Sequence, residues 1–238
     1  MAASFEELDF QLTPMGEISL RRRVDPSLNE EIFEVKLGEE FLMSSLFHVA
    51  ETALATLALE ALDGDQLDVV VGGLGLGYTA QSALGNGRVH TVTVVEALPA
   101  VISWHERGLV PAAPNLLADD RCSLVVGDFF ALVERGALPR RTSSNQGLDA
   151  VLVDIDHTPD HLLHPSHAAF YSTAGLQLLA DQIRPGGVFG LWSDDSPRED
   201  FLQTVRGVFA SCEAYEVPFP NPYTGGTSSN TVYVARRP

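Results

Sequence analysis

The sequence predicts an α/β fold: a seven-stranded, mostly parallel sheet with helices on both faces, preceded by a small N-terminal β-hairpin region. Three observations carry this expectation. Residues 69–80 run from three valines into four glycines within six residues, then into residues that continue as a helix. Beyond them, apolar β-branched runs alternate with helical patterns, as in successive parallel βα units. The last two strand patterns follow one another with no helix between, so the sheet ends in a hairpin.

Length and composition set the bounds. A chain of 238 residues accommodates one large α/β domain with a small appendage. Its 45% hydrophobic and 20% charged residues suit a globule with a real core. The formal charge of −17 argues against nucleic acid and anionic membrane surfaces as partners, since both demand Lys/Arg clusters, and it tolerates a cationic small molecule. The chain has two cysteines, Cys122 and Cys212, both in apolar settings. No disulfide framework follows, and a cytoplasmic location is the expectation. No signal peptide or eighteen-residue apolar span is seen, so no membrane is expected.

Residues 1–44 are expected to form an N-terminal β-hairpin region, and 45–238 one Rossmann-like α/β domain. Residues 16–21 and 31–37 alternate polar and apolar, as half-buried strands do, and Asp25-Pro26-Ser27-Leu28-Asn29 supplies the turn. Arg21, Arg22 and Arg23 read as a solvated face. Residues 45–62 take helical periodicity, with Leu46, Val49, Ala53, Leu57 and Ala61 on one side and Ser44 or Ser45 as cap. Residues 69–72 form a fully buried strand, because they show no polar alternation. The glycines after it let the backbone turn tightly and approach a ligand, at which the next helix points its free N–H groups. Strands follow at 90–96, 122–128 and 148–154, with a polar, mobile loop at 137–147. A helix over 168–183 stops at Arg184-Pro185-Gly186-Gly187. A strand at 188–192, a helix at 198–209 and strands at 213–217 and 231–235 complete the chain.

The candidate site residues lie at the carboxyl ends of these strands, where open α/β sheets bind ligands. Gly73, Gly75 and Gly77 form the nucleotide cradle. Glu96, nineteen residues after Gly77, ends the neighbouring strand, where a carboxylate accepts from both ribose hydroxyls. Asp128 ends the third strand and is placed to accept from an adenine amino group. Asp154 ends the fourth, and Asp156 and His157 follow it.

On these residues the chain resembles the spermidine synthase-like family, a branch of the S-adenosylmethionine-dependent class I methyltransferase fold. The resemblance rests on the N-terminal hairpin, Gly72-Gly73-Leu74-Gly75-Leu76-Gly77, Val95-Glu96, Gly127-Asp128, the run 154–159 and the late Pro-Asn-Pro-Tyr-Thr-Gly-Gly at 220–226. It implies a homodimer paired through the hairpins and either S-adenosylmethionine or its decarboxylated form as co-substrate. Departures are plain. Gly75 stands where true aminopropyltransferases carry an aspartate for the cofactor's amine. His157 replaces a second acid of the family's catalytic loop, and of a tyrosine–histidine–glutamate cluster only Glu51 matches. A neutral glycine loop, whose N–H groups suit a carboxylate, favours ordinary S-adenosylmethionine. Methyl transfer to a small cationic amine is therefore the first expectation, and aminopropyl transfer from decarboxylated S-adenosylmethionine the alternative. In either reaction Asp154 orients the acceptor, and Asp156 or His157 takes the proton.

Two other readings are open. Gly75-x-Gly77-x-x-Ala80 also fits a dinucleotide fingerprint, so an NAD-dependent oxidoreductase or a non-catalytic nucleotide-binding module is an alternative, disfavoured by the closing hairpin. His157, His161, His164 and His167 fall within eleven residues, but Pro165 interrupts any shared helix and no ligand is visible outside the segment, so no metal is expected.

Overall fold

The computed structural model describes residues 5–141 and 147–238. Residues 142–146 of the polar loop expected at 137–147 therefore lie outside the described residues, and the expected mobility there with them. Two sheets organise the rest. The first is an antiparallel meander, β1 (Phe5–Thr13), β2 (Gly16–Asp25), β3 (Glu30–Leu37) and β4 (Glu40–Ser44), paired in that order. The hairpin expected from the sequence is the middle of this meander. Its outer strands are hard to read because each pairing contains a bulge, between Glu7 and Asp9 on β1 and at Leu42 on β4, opposite Val35 and Lys36.

The arginine run is an ion-paired ladder on this sheet. Arg21 pairs with Glu7 at 3.7 Å and Arg22 with Glu6 at 2.5 Å. Arg23 meets Asp25 at 2.9 Å and Glu34 at 2.8 Å. It also donates to the Tyr223 hydroxyl at 2.6 Å, which ties the small sheet to the tip of the closing hairpin.

The second sheet comprises β5 (Leu67–Gly72), β6 (Val89–Glu96), β7 (Cys122–Val126), β8 (Leu148–Val153), β9 (Ile183–Ser193), β10 (Ser211–Asn221) and β11 (Gly226–Arg236), in the order β10-β11-β9-β8-β5-β6-β7. Pairing is parallel from β9 through β8, β5 and β6 to β7, and antiparallel where β11 joins β9 and β10. All six residues of β5 are buried, as the apolar run of Val69, Val70 and Val71 leads one to expect, and the burial extends to Asp68. The helices are α1 (Val49–Glu60), α2 (Tyr78–Gly85), α3 (Pro99–Glu106), α4 (Ala113–Ala118), α5 (Phe129–Glu134), α6 (Thr173–Ala180) and α7 (Glu199–Arg206).

Two helices differ from expectation. The span 168–183 splits into a 3-10 turn, Pro165–Ala169, and α6, which Ser172 caps by accepting from the Gly175 N–H. In α1 the buried residues are Ala50, Leu54, Ala55, Ala58 and Leu59, while Val49 is exposed. The helix is apolar nearly all round, so periodicity alone does not pick the face. Contact with the sheet does, through Leu54 and Ala58 beneath Gly190 of β9. Ser44 and Ser45 do not cap it: their hydroxyls accept from the Leu46 and Phe33 N–H groups. Among the described residues no helix is long and apolar enough to cross a membrane.

Candidate active site

A cavity of about 730 Å³ opens over the carboxyl ends of β5, β6, β7 and β8 and is roofed by the N-terminal sheet. Its size suits a nucleoside-sized ligand with room for a second small molecule. Gly73, Gly75, Glu96, Asp128, Asp154 and His157 line it, so six of the eight residues singled out from the sequence meet there.

The glycine loop is built for close approach. Gly73 has φ of +92°, and a Cβ there would collide with the Asp154 carbonyl oxygen. Gly77, also at +92°, starts α2 beneath the cavity rather than in its wall. A Cβ on it would fall 2.7 Å from Leu116 and 2.9 Å from His105. His105 is fully buried, with Nε2 2.9 Å from the Gly75 carbonyl and Nδ1 without a partner. Burial holds its pKa below the usual value, so the neutral ring donates to the loop from Nε2.

The loop's own N–H groups are engaged inside the protein. Gly73 donates to the Val95 carbonyl at 2.9 Å and Gly77 to that of Leu74 at 2.8 Å. The Leu74 N–H donates to Glu96 Oε2 at 2.9 Å, and the Gly75 N–H also faces this carboxylate. The Leu76 N–H meets Met43 Sδ at 3.3 Å. Met43, arriving from β4, also fills the space a side chain on Gly75 would take. A free nest of N–H groups for a carboxylate, expected from the glycine pattern, is therefore absent from this loop: its donors are used internally.

Glu96 is nearly buried, and its Oε1 accepts from the Leu98 N–H at 2.8 Å. Burial pushes its carboxyl above the usual range, and the backbone donors of Leu74, Leu98, Gly75 and Ala97 pull it back in part. Asp128 caps α5 by accepting from the Ala131 N–H at 3.1 Å. Phe129 and Phe130, directly after it, line the cavity with Leu98 and Val101 and give this side an apolar, aromatic wall.

The opposite side is acidic. Asp154, at the end of β8, accepts from Thr79 Oγ1 at 2.7 Å. Glu51 of α1 and Asp194, just past β9, line the same space. Burial first, then the nearby charges of Asp154 and Asp194, raises Glu51 well above the carboxylate range. Asp154 is raised by burial as well, against the Thr79 bond. Asp194 accepts from Asn230 Nδ2 at 2.7 Å. Sequence reasoning had touched Glu51 only through the resemblance and missed Asp194, whose one signal is its place after a parallel strand.

Asp156 and His157 part company. Asp156 is 2% exposed and does not line the cavity. Its Oδ1 accepts from the Leu163 N–H at 2.7 Å and meets His167 Nδ1 at 2.8 Å, while Oδ2 accepts from the Tyr171 hydroxyl at 2.9 Å. Those bonds fix the loop after β8 and leave the carboxylate no access to a substrate proton. His157 does line the cavity, with Nε2 3.1 Å from Glu40 Oε1. His161 Nε2 lies 3.1 Å from the same oxygen. Glu40 is thus a ligand-type residue from outside the histidine segment, invisible in the sequence because β4 is 117 residues upstream of His157.

Sheet order and closing hairpin define the class of fold: a class I methyltransferase-like α/β domain bearing an N-terminal antiparallel sheet. No family model matches the chain. It is 26% identical over 183 residues to "Polyamine aminopropyltransferase 2" of Pseudomonas aeruginosa, a match that covers 74% of this chain and 48% of that protein. The chain therefore spans about half the length of the curated relative it matches. Among solved structures, the spermidine synthase of Thermotoga maritima superposes with a TM-score of 0.72 at 16% identity, over 98% of this chain and 73% of that one. A spermidine synthase in complex with the transition state analogue AdoDATO superposes with a TM-score of 0.74 at 16% identity, over 98% and 74%. The likeness to the spermidine synthase-like family thus extends from the fold to the sequence.

Proposed function

We propose that this chain is an aminopropyltransferase, moving a 3-aminopropyl group from decarboxylated S-adenosylmethionine to a small amine acceptor. This takes up the alternative reading of the sequence in place of methyl transfer, which neither the curated relative nor the solved neighbours support. One observation supports it above the others. The cavity is lined by five carboxylates, Glu51, Glu96, Asp128, Asp154 and Asp194, and among the described residues by no Lys or Arg.

The decarboxylated donor carries a sulfonium and an ammonium and no carboxylate. Ordinary S-adenosylmethionine would bring its carboxylate among like charges with no free N–H nest to receive it, a costly burial. The curated relative's name and the solved complex with AdoDATO agree with this choice. The aspartate that the resembled family places in the glycine loop is replaced here by Gly75 with Met43 against it, so the donor's ammonium falls to Glu51, Asp154 and Asp194.

The chemistry asks mainly for alignment. The acceptor nitrogen attacks the aminopropyl carbon bonded to the sulfonium, forming the C–N bond as the C–S bond breaks. The electron pair returns to sulfur, leaving a neutral thioether, and the new ammonium loses one proton. Glu51 and Asp154, whose proton affinity burial raises, hold the amine and take that proton in this reading. The aromatic wall and Glu96 hold the adenosyl part.

Partners and location belong to the same proposal. Phe5, Phe10, Leu12 and Phe41 of the N-terminal sheet are exposed, consistent with a homodimer formed through it; light scattering that finds a monomer at micromolar concentration would count against that. Two free cysteines fit a reducing cytoplasm. Calorimetry tests the donor directly. Decarboxylated S-adenosylmethionine is expected to bind at least about tenfold, or ~1.4 kcal/mol, more tightly than S-adenosylmethionine. Tighter binding of S-adenosylmethionine or NAD overturns the reading.

A further inference from the structure

We propose that Glu40, His157 and His161 form a binding site for one divalent transition-metal ion of the Zn2+ type, at the rim of the cavity. One ligand atom from each residue lies within 4.8 Å of the others. Both imidazole Nε2 atoms sit 3.1 Å from the same oxygen, Glu40 Oε1. Two ligands bound at ~2.0–2.1 Å in a tetrahedral array lie about 3.3 Å apart, so these separations already match two edges of such an array. Two nitrogens and one carboxylate oxygen are the donor set a borderline ion takes, and the fourth place is left to water or to a lone pair in the cavity that His157 lines.

The main chain that carries the two imidazoles is fixed by its own hydrogen bonds. Thr158 and His161 bond each other's main chains, N–H to carbonyl at 3.3 and 3.2 Å, and Thr158 Oγ1 accepts from the His161 N–H at 2.9 Å. This tight turn sets the two imidazoles side by side, with ring centroids 4.8 Å apart. The His157 carbonyl accepts from the Asp194 N–H at 2.7 Å, anchoring the turn to the end of β9. Glu40 begins β4 directly after the turn at Gly38, whose φ is +58°. The neighbouring carboxylates are otherwise engaged: Asp160 pairs with Arg198, and Asp156 holds His167 and Tyr171.

An ion here would link the N-terminal sheet to the loop after β8 across the cavity mouth. It would therefore fix the spacing between the roof of the cavity and the strand end that carries Asp154. Its ligands include neither Glu51 nor Asp154, so metal affinity at this site can be read without the transfer reaction.

Tag-free protein, stripped with a chelator, should be titrated with Zn2+ in competition with a chromogenic chelator. The expected result is one ion per chain, with affinity falling at least about tenfold in His161→Ala and in Glu40→Gln. His161 is 66% exposed in its side chain, so that variant should fold normally. His90→Ala, on exposed β6 surface, should bind as the parent does. Zn2+ should also raise the thermal midpoint of the parent and not that of His161→Ala. Parent affinity no greater than that of His161→Ala overturns the site and shows the three residues to be a hydrogen-bonded clasp, whatever the donor calorimetry gives.

Discussion

The two walls of the cavity treat polar groups in opposite ways. On the wall built by the glycine loop and β6, donors and acceptors find each other within the protein: Leu74, Gly75 and Leu98 N–H groups on Glu96, and His105 under Gly75. On the wall built by α1 and the ends of β8 and β9, Glu51, Asp154 and Asp194 face a common space with Thr79 and Asn230 as their neutral partners. The first wall is a satisfied frame that holds its shape without a ligand. The second gathers three carboxylates; burial raises the proton affinities of Glu51 and Asp154 there, as it does that of Glu96 on the first wall, and at Glu51 the charges of Asp154 and Asp194 add to it.

The largest effect that would test this contrast comes from Asp154→Asn. It keeps the Thr79 contact geometry and removes one charge from the acidic wall. Turnover with an amine acceptor is expected to fall by about a hundredfold or more in steady-state kinetics, and donor affinity in calorimetry to weaken with it, since Asp154 also faces the donor's ammonium. Equal activity in the variant would erase the distinction between the walls. The reciprocal change, Glu96→Ala, strips the other wall. It should weaken donor binding by about 1–3 kcal/mol and also lower stability, because the Leu74 and Leu98 N–H groups lose their acceptor. Unchanged donor affinity in a folded Glu96→Ala protein removes that residue from the adenosyl site.

Asp156 sharpens the comparison from two residues away. It shares the strand end with Asp154 but turns inward to Leu163, His167 and Tyr171. Tyr171→Phe removes one charge-assisted bond from this buried node and is expected to cost about 1.5–3 kcal/mol of stability in denaturant unfolding. Donor affinity should stay close to that of the parent. A fall in affinity without a fall in stability would instead bring Asp156 into the chemistry.

How much of this was legible in the sequence follows from how local each feature is. The strand–glycine–helix unit and the acids Glu96, Asp128 and Asp154 were readable because each sits at a fixed step from a strand end. The mostly parallel sheet with an antiparallel end followed from the βα alternation and the closing hairpin. The buried face of α1 was not readable, since alanine and leucine cover most of its circumference and tertiary contact with β9 decides. Asp154 and Asp156 looked alike because alternation places them two apart; which one opens to the cavity depends on Tyr171 and His167, fifteen and eleven residues on. The acidic wall was hidden for a similar reason, as α1, β8 and β9 each bring one carboxylate. Even the emptiness of the glycine loop misled: its N–H groups are spoken for by Glu96 and by Met43 from a separate sheet.

The mildest expected effect is a pH dependence. Glu51 and Asp154 have folded pKa values raised above their unfolded ones, so the folded protein binds protons there more tightly than the unfolded chain. Their contribution to stability is fully present below the unfolded carboxylate values, about 3.9–4.3, and is lost as pH rises through the raised folded values. The slope cannot exceed ~1.4 kcal/mol per pH unit for each proton released. Ligand-free protein should therefore soften as pH climbs from about 4.3 through that window, and Glu51→Gln, which removes the group with two acidic neighbours, should flatten the profile. A bound dication should do the same by neutralising the ionised wall, and its own affinity should rise with pH over the same window and weaken with salt. Thermal unfolding across pH, with and without an amine acceptor, measures each part. A profile that Glu51→Gln leaves unchanged would place the excess charge elsewhere and remove the acidic wall as the seat of amine recognition.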